Sequence, residues 1–243
     1  NYNRDIEVFP LLKAMLDKIL GESPYASPTD MGVNMAGKAI IDDEACQEAA
    51  KQEIIRRYFR TAVEVKKTGV GKEQIAKLEL LMNQVGVTQS QSPCRSAALL
   101  KEETTGAPAA AIEMPDGTVI TGKTSTLLGC ASSLLMNALK YAAGIPDINV
   151  INDDVITPIC HLKVDSLHSR NPRLHSDETL LALSVTSASD PTAAELIKHI
   201  PDLQGCDAFF SVIISDTDAR LYQKLGINAC CEPKYEQRRY YHK

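Results

Sequence analysis

Tryptophan is absent from this chain, and aromatic residues make up only 5% of it. A core with so few rings has to be filled by aliphatic side chains and alanine. No run approaches the ~18 uninterrupted apolar residues of a membrane-spanning helix, which excludes one. Positive charge is not in excess either. The formal net charge is -5, against the clearly basic face of a dedicated nucleic-acid binder, so no nucleic acid and no membrane are expected as partners. The seven cysteines, at 46, 94, 130, 160, 206, 230 and 231, include no CxxC pair. They are odd in number, and a bridge between the adjacent Cys230 and Cys231 would be strained. With no secretory leader visible, reduced thiols in a cytoplasmic compartment are expected. His161 follows Cys160, and His168 and His175 lie at sevens beyond it, but HExxH and paired-cysteine spacings are missing. No metal and no cofactor are therefore expected.

What is present is an ordinary globular composition, with 44% hydrophobic and 23% charged residues over 243 positions, which rules out global disorder. That length fits one large or two modest domains. The first hundred or so residues carry helical periodicity. Ile6, Phe9, Leu12, Leu16 and Ile19 place one stripe on a helix ending near Gly21. Ala45, Ala49, Ile54, Tyr58 and Ala62 do so from about Asp43 to Lys67, and Ile75, Leu78, Leu81 and Met82 from Lys72 to Gln84. A weaker helix spans Pro93 to Glu103. From Gly106 the texture changes. A hairpin is predicted from Ala109–Glu113, the turn Pro115-Asp116-Gly117 and Thr118–Thr121. Helices are predicted over 124–143, 177–187, 192–199 and 216–225, with strands over 209–214 and 227–230. The fold class is thus α+β or α/β: a helical subdomain over 1–105, then a sheet covered by helices over 106–243.

Three strings are candidate sites. Gly117-Thr118-Val119-Ile120-Thr121-Gly122-Lys123-Thr124 satisfies the phosphate-loop pattern. Its four intervening residues are strand-favouring, all of them β-branched, so a hairpin arm is the stronger reading. Lys123 is kept as an assisting anion contact at the start of the following helix. The second string is Ser169-Arg170-Asn171-Pro172-Arg173-Leu174-His175-Ser176-Asp177-Glu178. Pro172 extends the chain, Ser176 is a suitable N-cap, and two arginines with a histidine stand before a positive helix end. That composition suits a phosphate or carboxylate, so Arg170, Asn171, Arg173, His175 and Ser176 are the anion-binding candidates. Pairing of the arginines with Asp177, Glu178 or other acids is the plain alternative. The third string, Ser23 to Met35, is longer than a connector requires, and Thr29, Asp30 and Asn34 are cleft candidates there. The tail Tyr235 to Lys243 mixes aromatics with positive charge and reads as a packed or partner-contacting terminus.

The strings NYNRDIEVFPLLKAML, SPYASPTDMGVNMAG, KQEIIRRYFRTAVEVK and SRNPRLHSDE resemble the C-terminal half of the bacterial uncharacterised protein family 0371. The resemblance covers nearly the whole chain, which opens Asn1-Tyr2 without methionine and reads as a piece of something longer. It implies relatives about twice as long, whose absent first half carries a glycine-rich stretch like a phosphate loop and would be this chain's partner. It implies no activity. A label of ATP-dependent peptidase attached to some relatives has no support in HExxH or GxSxG here. It also implies a second subdomain similar in topology to cytidine deaminases, without their zinc site. That chemistry needs a glutamate beside the first ligand and a Pro-Cys-x-x-Cys pair, whereas position 132 is Ser and Pro158-Ile159-Cys160-His161 offers one cysteine.

Two functions of different class follow. One is a phosphorylated or nucleotide-like small molecule bound between subdomains. The other is a structural module forming the interface of a homo-oligomer, its arginines serving internal ion pairs. Whether the chain catalyses any reaction is left open by its sequence.

Overall fold

The computed structural model describes residues 2–25 and 43–236, which form two compact units, 1–92 and 93–243. In the first unit, helices α1 (Tyr2–Leu20), α2 (Asp43–Thr68) and α3 (Lys72–Val85) pack so that α3 meets both others. The heptad-like spacing has its cause in that packing. Phe9, Ala50, Ile54, Ile55, Phe59, Ala62, Leu78, Leu81 and Met82 are buried. The expected stripe of α2 is thereby corrected at its start. Ala45 and Ala49 are exposed, and Ala50 takes the inward place. Gly86 closes α3 in the left-handed conformation that suits a helix C-terminus, and Gly71, also at positive φ, precedes its first turn. Thr29, Asp30 and Asn34 lie outside the described residues.

The second unit begins at Pro93, thirteen residues before the texture change at Gly106, with α4 (Arg95–Thr105), and continues as a hairpin of β1 (Ala109–Glu113) and β2 (Val119–Lys123). Then come α5 (Cys130–Ala142), α6 (Asp153–His161) running into a π-helical turn over 162–166, α7 (Ser176–Thr186) and α8 (Pro191–Lys198). Strand β3 (Asp207–Phe210), α9 (Asp216–Lys224) and β4 (Asn228–Cys231) close it. The mixed sheet has the order β2-β1-β3-β4, with β1 antiparallel to β2 and β3, and β3 parallel to β4. The mixed α/β class expected from sequence is what the fold has.

The pleat sorts the central strands. Ala110 opposite Phe210, and Ile112 opposite Ala208, face the main core with Leu134, Leu135, Leu139, Leu183, Leu196 and Tyr222. Ala111 and Phe209 alternate onto the other face, where Arg95 of α4 lies 6.0 Å from the Phe209 ring and makes a two-pronged ion pair with Glu232. Alanine dominates β1 because helices press on it from both sides.

The phosphate-loop string is strand. Gly117, at φ +82°, turns the hairpin, and Ile120 and Thr121 pair with Ile112 and Ala111. Gly122 serves contact rather than phosphate: a Cβ there would stand 2.4 Å from the backbone nitrogen of Leu134. Helix α5 rests directly on the strand. It starts at Cys130, not near Thr124, because Thr124–Gly129 runs alongside Leu174, bridged Leu128 to Leu174. Helix α6 was not foreseen; Pro158 sits inside it.

Gly122→Ala is expected to cost about 3 kcal/mol or more, since backbone on both sides must move to admit the methyl. Chemical denaturation checks it, and an unchanged midpoint would refute the direct seating of α5 on β2.

Candidate functional site

Three helix amino ends meet beside the carboxyl ends of β3 and β4, where open α/β sheets leave room for ligands. The residues after β3, Val212–Ser215, join Thr124, Gly129–Ala131, Asn171, Arg173–His175, Asp218 and Glu236 around a pocket of about 80 Å³. The amino ends are those of α5, α7 and α9.

Asp218 organises the corner. Its carboxylate accepts hydrogen bonds from the Ser176 N–H (2.8 Å) and hydroxyl (2.6 Å) on Oδ1, and from the Ser215 hydroxyl (2.6 Å) on Oδ2. The imidazole Nδ1 of His175 stands 3.1 Å from the same Oδ2. Burial pushes the Asp218 carboxyl up, but the hydrogen bonds from His175, Ser176 and Ser215 outweigh it and hold it below the ordinary carboxylate range. The hydrogen bond to Asp218 raises the His175 imidazole above its usual value, against burial. Ser215 caps α9, accepting from the Asp218 N–H.

Part of the second string lines this pocket, and the acid that Arg173 meets comes from outside the string. Arg173 reaches the Ser125 carbonyl through Nε (2.9 Å) and Glu236 through Nη1 (3.2 Å). Asn171 accepts from the Arg173 N–H and lines the pocket. Ser176 lies in the first turn of α7, not at its cap. The cap position is His175, whose N–H donates to Glu178 (2.7 Å). Arg170 is exposed and does not line the pocket. Lys123 is at the end of β2, not at a helix start. It lines a separate groove of about 470 Å³ with Ser125, Asn137, Lys140 and Asp147. The two arginines and the lysine therefore do not converge.

Sequence reasoning passed over Asp218, Ser215, Glu236 and Lys163. Lys163 is a buried cation whose Nζ donates to Glu178 (2.7 Å) and to the Arg173 carbonyl (2.5 Å). The signal for Asp218 was the helix-start pattern Ser215-x-x-Asp218. Nothing local signals Lys163. Cys130 also lines the pocket. Burial, with Asp218 nearby, pushes its thiol up to about 12, so it stays neutral near pH 7. No group of three or more metal-ligating side chains occurs among the described residues, and no helix there is long and apolar enough to cross a membrane.

The molecule is thus of the mixed α/β class with a small polar pocket at a sheet edge. Residues 1–86 match the family described as "Domain of unknown function DUF1846, N-terminal", and residues 90–241 match "Domain of unknown function DUF1846, C-terminal". The chain belongs to this family, of unknown function. It is 50% identical over its full length to the UPF0371 protein str1377 of Streptococcus thermophilus (strain CNRZ 1066) and to the UPF0371 protein of Streptococcus pneumoniae serotype 4 (strain ATCC BAA-334 / TIGR4). It spans about half, 49%, of the length of these relatives.

The raised His175 value sets a sign for stability against pH. A raised imidazole stabilises fully below its unfolded value of 6.5, and the contribution is lost as pH rises through the higher folded value. Asp218 works oppositely: its contribution is present above 3.8 and lost as pH falls through the depressed folded value. Urea midpoints across pH are expected to decline on the alkaline side in the parent protein and to lack that decline in His175→Gln. The same alkaline decline in the variant would exclude His175 as its source.

Proposed function

We propose that the second unit binds a small molecule of the phosphorylated or nucleotide-like class in the pocket at the helix ends. One observation carries the reading: the amino ends of α5, α7 and α9 and the Arg173 guanidinium all border one concavity. Helix amino ends favour anions, and the first turn of α5 has no side-chain cap. Carboxylates of the protein already occupy part of this field. Asp218 is fixed by four donor contacts, whereas Glu236 meets Arg173 from the segment after β4, so an incoming anion would displace Glu236 and take over Arg173. The lining residues of this pocket all belong to the second unit, so the reading puts the ligand there and not between subdomains.

The reading includes a deaminase-like topology for the second unit, supported by the hairpin and by the cysteine-led helix α5 packed on it. Deaminase activity is not part of it. The Ser132 hydroxyl, where a proton-carrying glutamate would be needed, donates to the Leu174 carbonyl at 2.8 Å, and Cys160 does not line the pocket. A cytoplasmic setting, with Cys94, Cys130, Cys160, Cys206, Cys230 and Cys231 as free thiols, belongs to the same reading, as does association with the remainder of the longer protein.

A second reading, the scaffold of a homo-oligomer, has its own observation. Leu181 and Val185, one turn apart on α7, are 66% and 63% exposed, with Leu162 and Leu167 exposed as well. Leu181→Glu with Val185→Glu is expected to shift an oligomer to monomers in light scattering, and an unchanged mass would remove this surface.

Thermal shift against nucleotides, sugar phosphates and organic acids tests the first reading. A ligand at 100 times its Kd is expected to add about 2.7 kcal/mol to the native state. Arg173→Ala should abolish the shift and Glu236→Gln should enlarge it. A panel without a hit leaves the scaffold reading standing alone.

A further inference from the structure

His175 is bound on one side only. Nδ1 is 3.1 Å from Asp218 Oδ2 and 3.2 Å from the Ser215 hydroxyl, while Nε2 has no hydrogen-bond partner among the described residues, in a ring that lines the pocket. Asp218 is ionised and accepts a hydrogen bond from the Nδ1–H, so the neutral ring carries its lone pair on Nε2. A buried carboxylate that fixes the tautomer of a histidine whose other nitrogen is open is the arrangement of a general base.

We propose that His175 and Asp218 form a general-base dyad that activates water for hydrolysis of a small ester in this pocket, a proposal that rests on the pocket being a ligand site. The available space, about 80 Å³ against the roughly 30 Å³ share of one water, admits a water and a short acyl group. The protein's own nucleophiles are otherwise engaged. The Cys130 thiol is neutral, and the Ser215 hydroxyl donates to Asp218 on the Nδ1 side. Water gives its proton to Nε2 as its oxygen bonds to the acyl carbon. The carbonyl π pair moves onto oxygen, which faces the uncapped first-turn N–H groups of Cys130 and Ala131. Collapse restores the carbonyl and breaks the bond to the alcohol oxygen, which leaves with the proton from Nε2. An acid and an alcohol result, with no change of oxidation state. The charged groups around the ring are Asp218 from α9, Glu178 from α7 and Lys163 from the π-helical turn, with Arg173 and Glu236 across the pocket.

The test uses 4-nitrophenyl acetate with this chain. Hydrolysis should rise with pH through a midpoint above 6.5, the ordinary histidine value. His175→Gln should lose about 100-fold, the low end for a general base. Asp218→Asn, acting on a positioning residue, should lower the rate and bring the midpoint down towards 6.5. His161→Gln, at an exposed imidazole, should change nothing. Equal small losses in His175→Gln and His161→Gln would mean catalysis by exposed imidazoles only and would overturn the proposal. Should His175→Gln fail to fold, two-bond ¹H–¹⁵N spectra of the parent protein decide: a neutral ring protonated on Nδ1 supports the dyad, and protonation on Nε2 refutes it. Failures stay separable. A panel ligand with ester rates independent of His175 removes the base alone, while His175-dependent hydrolysis without a panel hit removes the phosphorylated ligand alone.

Discussion

One buried carboxylate sets the geometry of the second unit's polar corner. Asp218 leaves water for the protein interior and recovers the lost hydration from a backbone N–H, two hydroxyls and an imidazole. Those donors come from two helix starts forty positions apart in the chain, so the carboxylate ties α7 to α9. It also turns His175 edge-on, with one ring nitrogen inward. Removing any one donor leaves charge less compensated, and removing the carboxylate orphans four donors at once.

A second layer supports that corner. Lys163, buried beneath it, holds Glu178 and the Arg173 carbonyl, while Glu178 in turn holds the His175 N–H. The Tyr222 hydroxyl donates to the Ala131 carbonyl, which fixes the start of α5 against α9. The pocket is therefore walled by groups whose positions are set by other hydrogen bonds, the condition under which a site keeps its shape without a ligand. Opposite charges alternate along the wall, Arg173 beside Glu236 and His175 beside Asp218.

Much of the fold was legible in the chain. The helices over 43–68 and 72–85 follow from period alone, and the hairpin follows from Pro115-Asp116-Gly117 between β-favouring arms. Boundaries failed where distant residues decide them. Helix α5 begins six residues later than its pattern suggests because Leu174, far along the chain, claims Leu127 and Leu128 in an extended bridge. Helix α6 was hidden by Pro158, which marks a break in sequence logic but is accommodated ahead of a π-helical turn. Asn171, Arg173 and His175 of the string around Arg173 line the pocket, and the acid that meets Arg173 is Glu236, not the neighbouring Asp177 or Glu178. A net charge and a motif give no hint that Glu236 would meet Arg173 or that Asp218 would meet His175. Local composition names the donors; only the fold names the acceptors.

The contact at Gly122 reaches further than local packing. Strand and helix there touch main chain to main chain, with no side chain as a cushion. Exchanges among aliphatic residues elsewhere in the interior can be absorbed by rotamer changes, but this seam has no such slack. It acts as a datum that keeps α5 registered to the sheet at Ser133 and Leu134 while side chains elsewhere in the core vary.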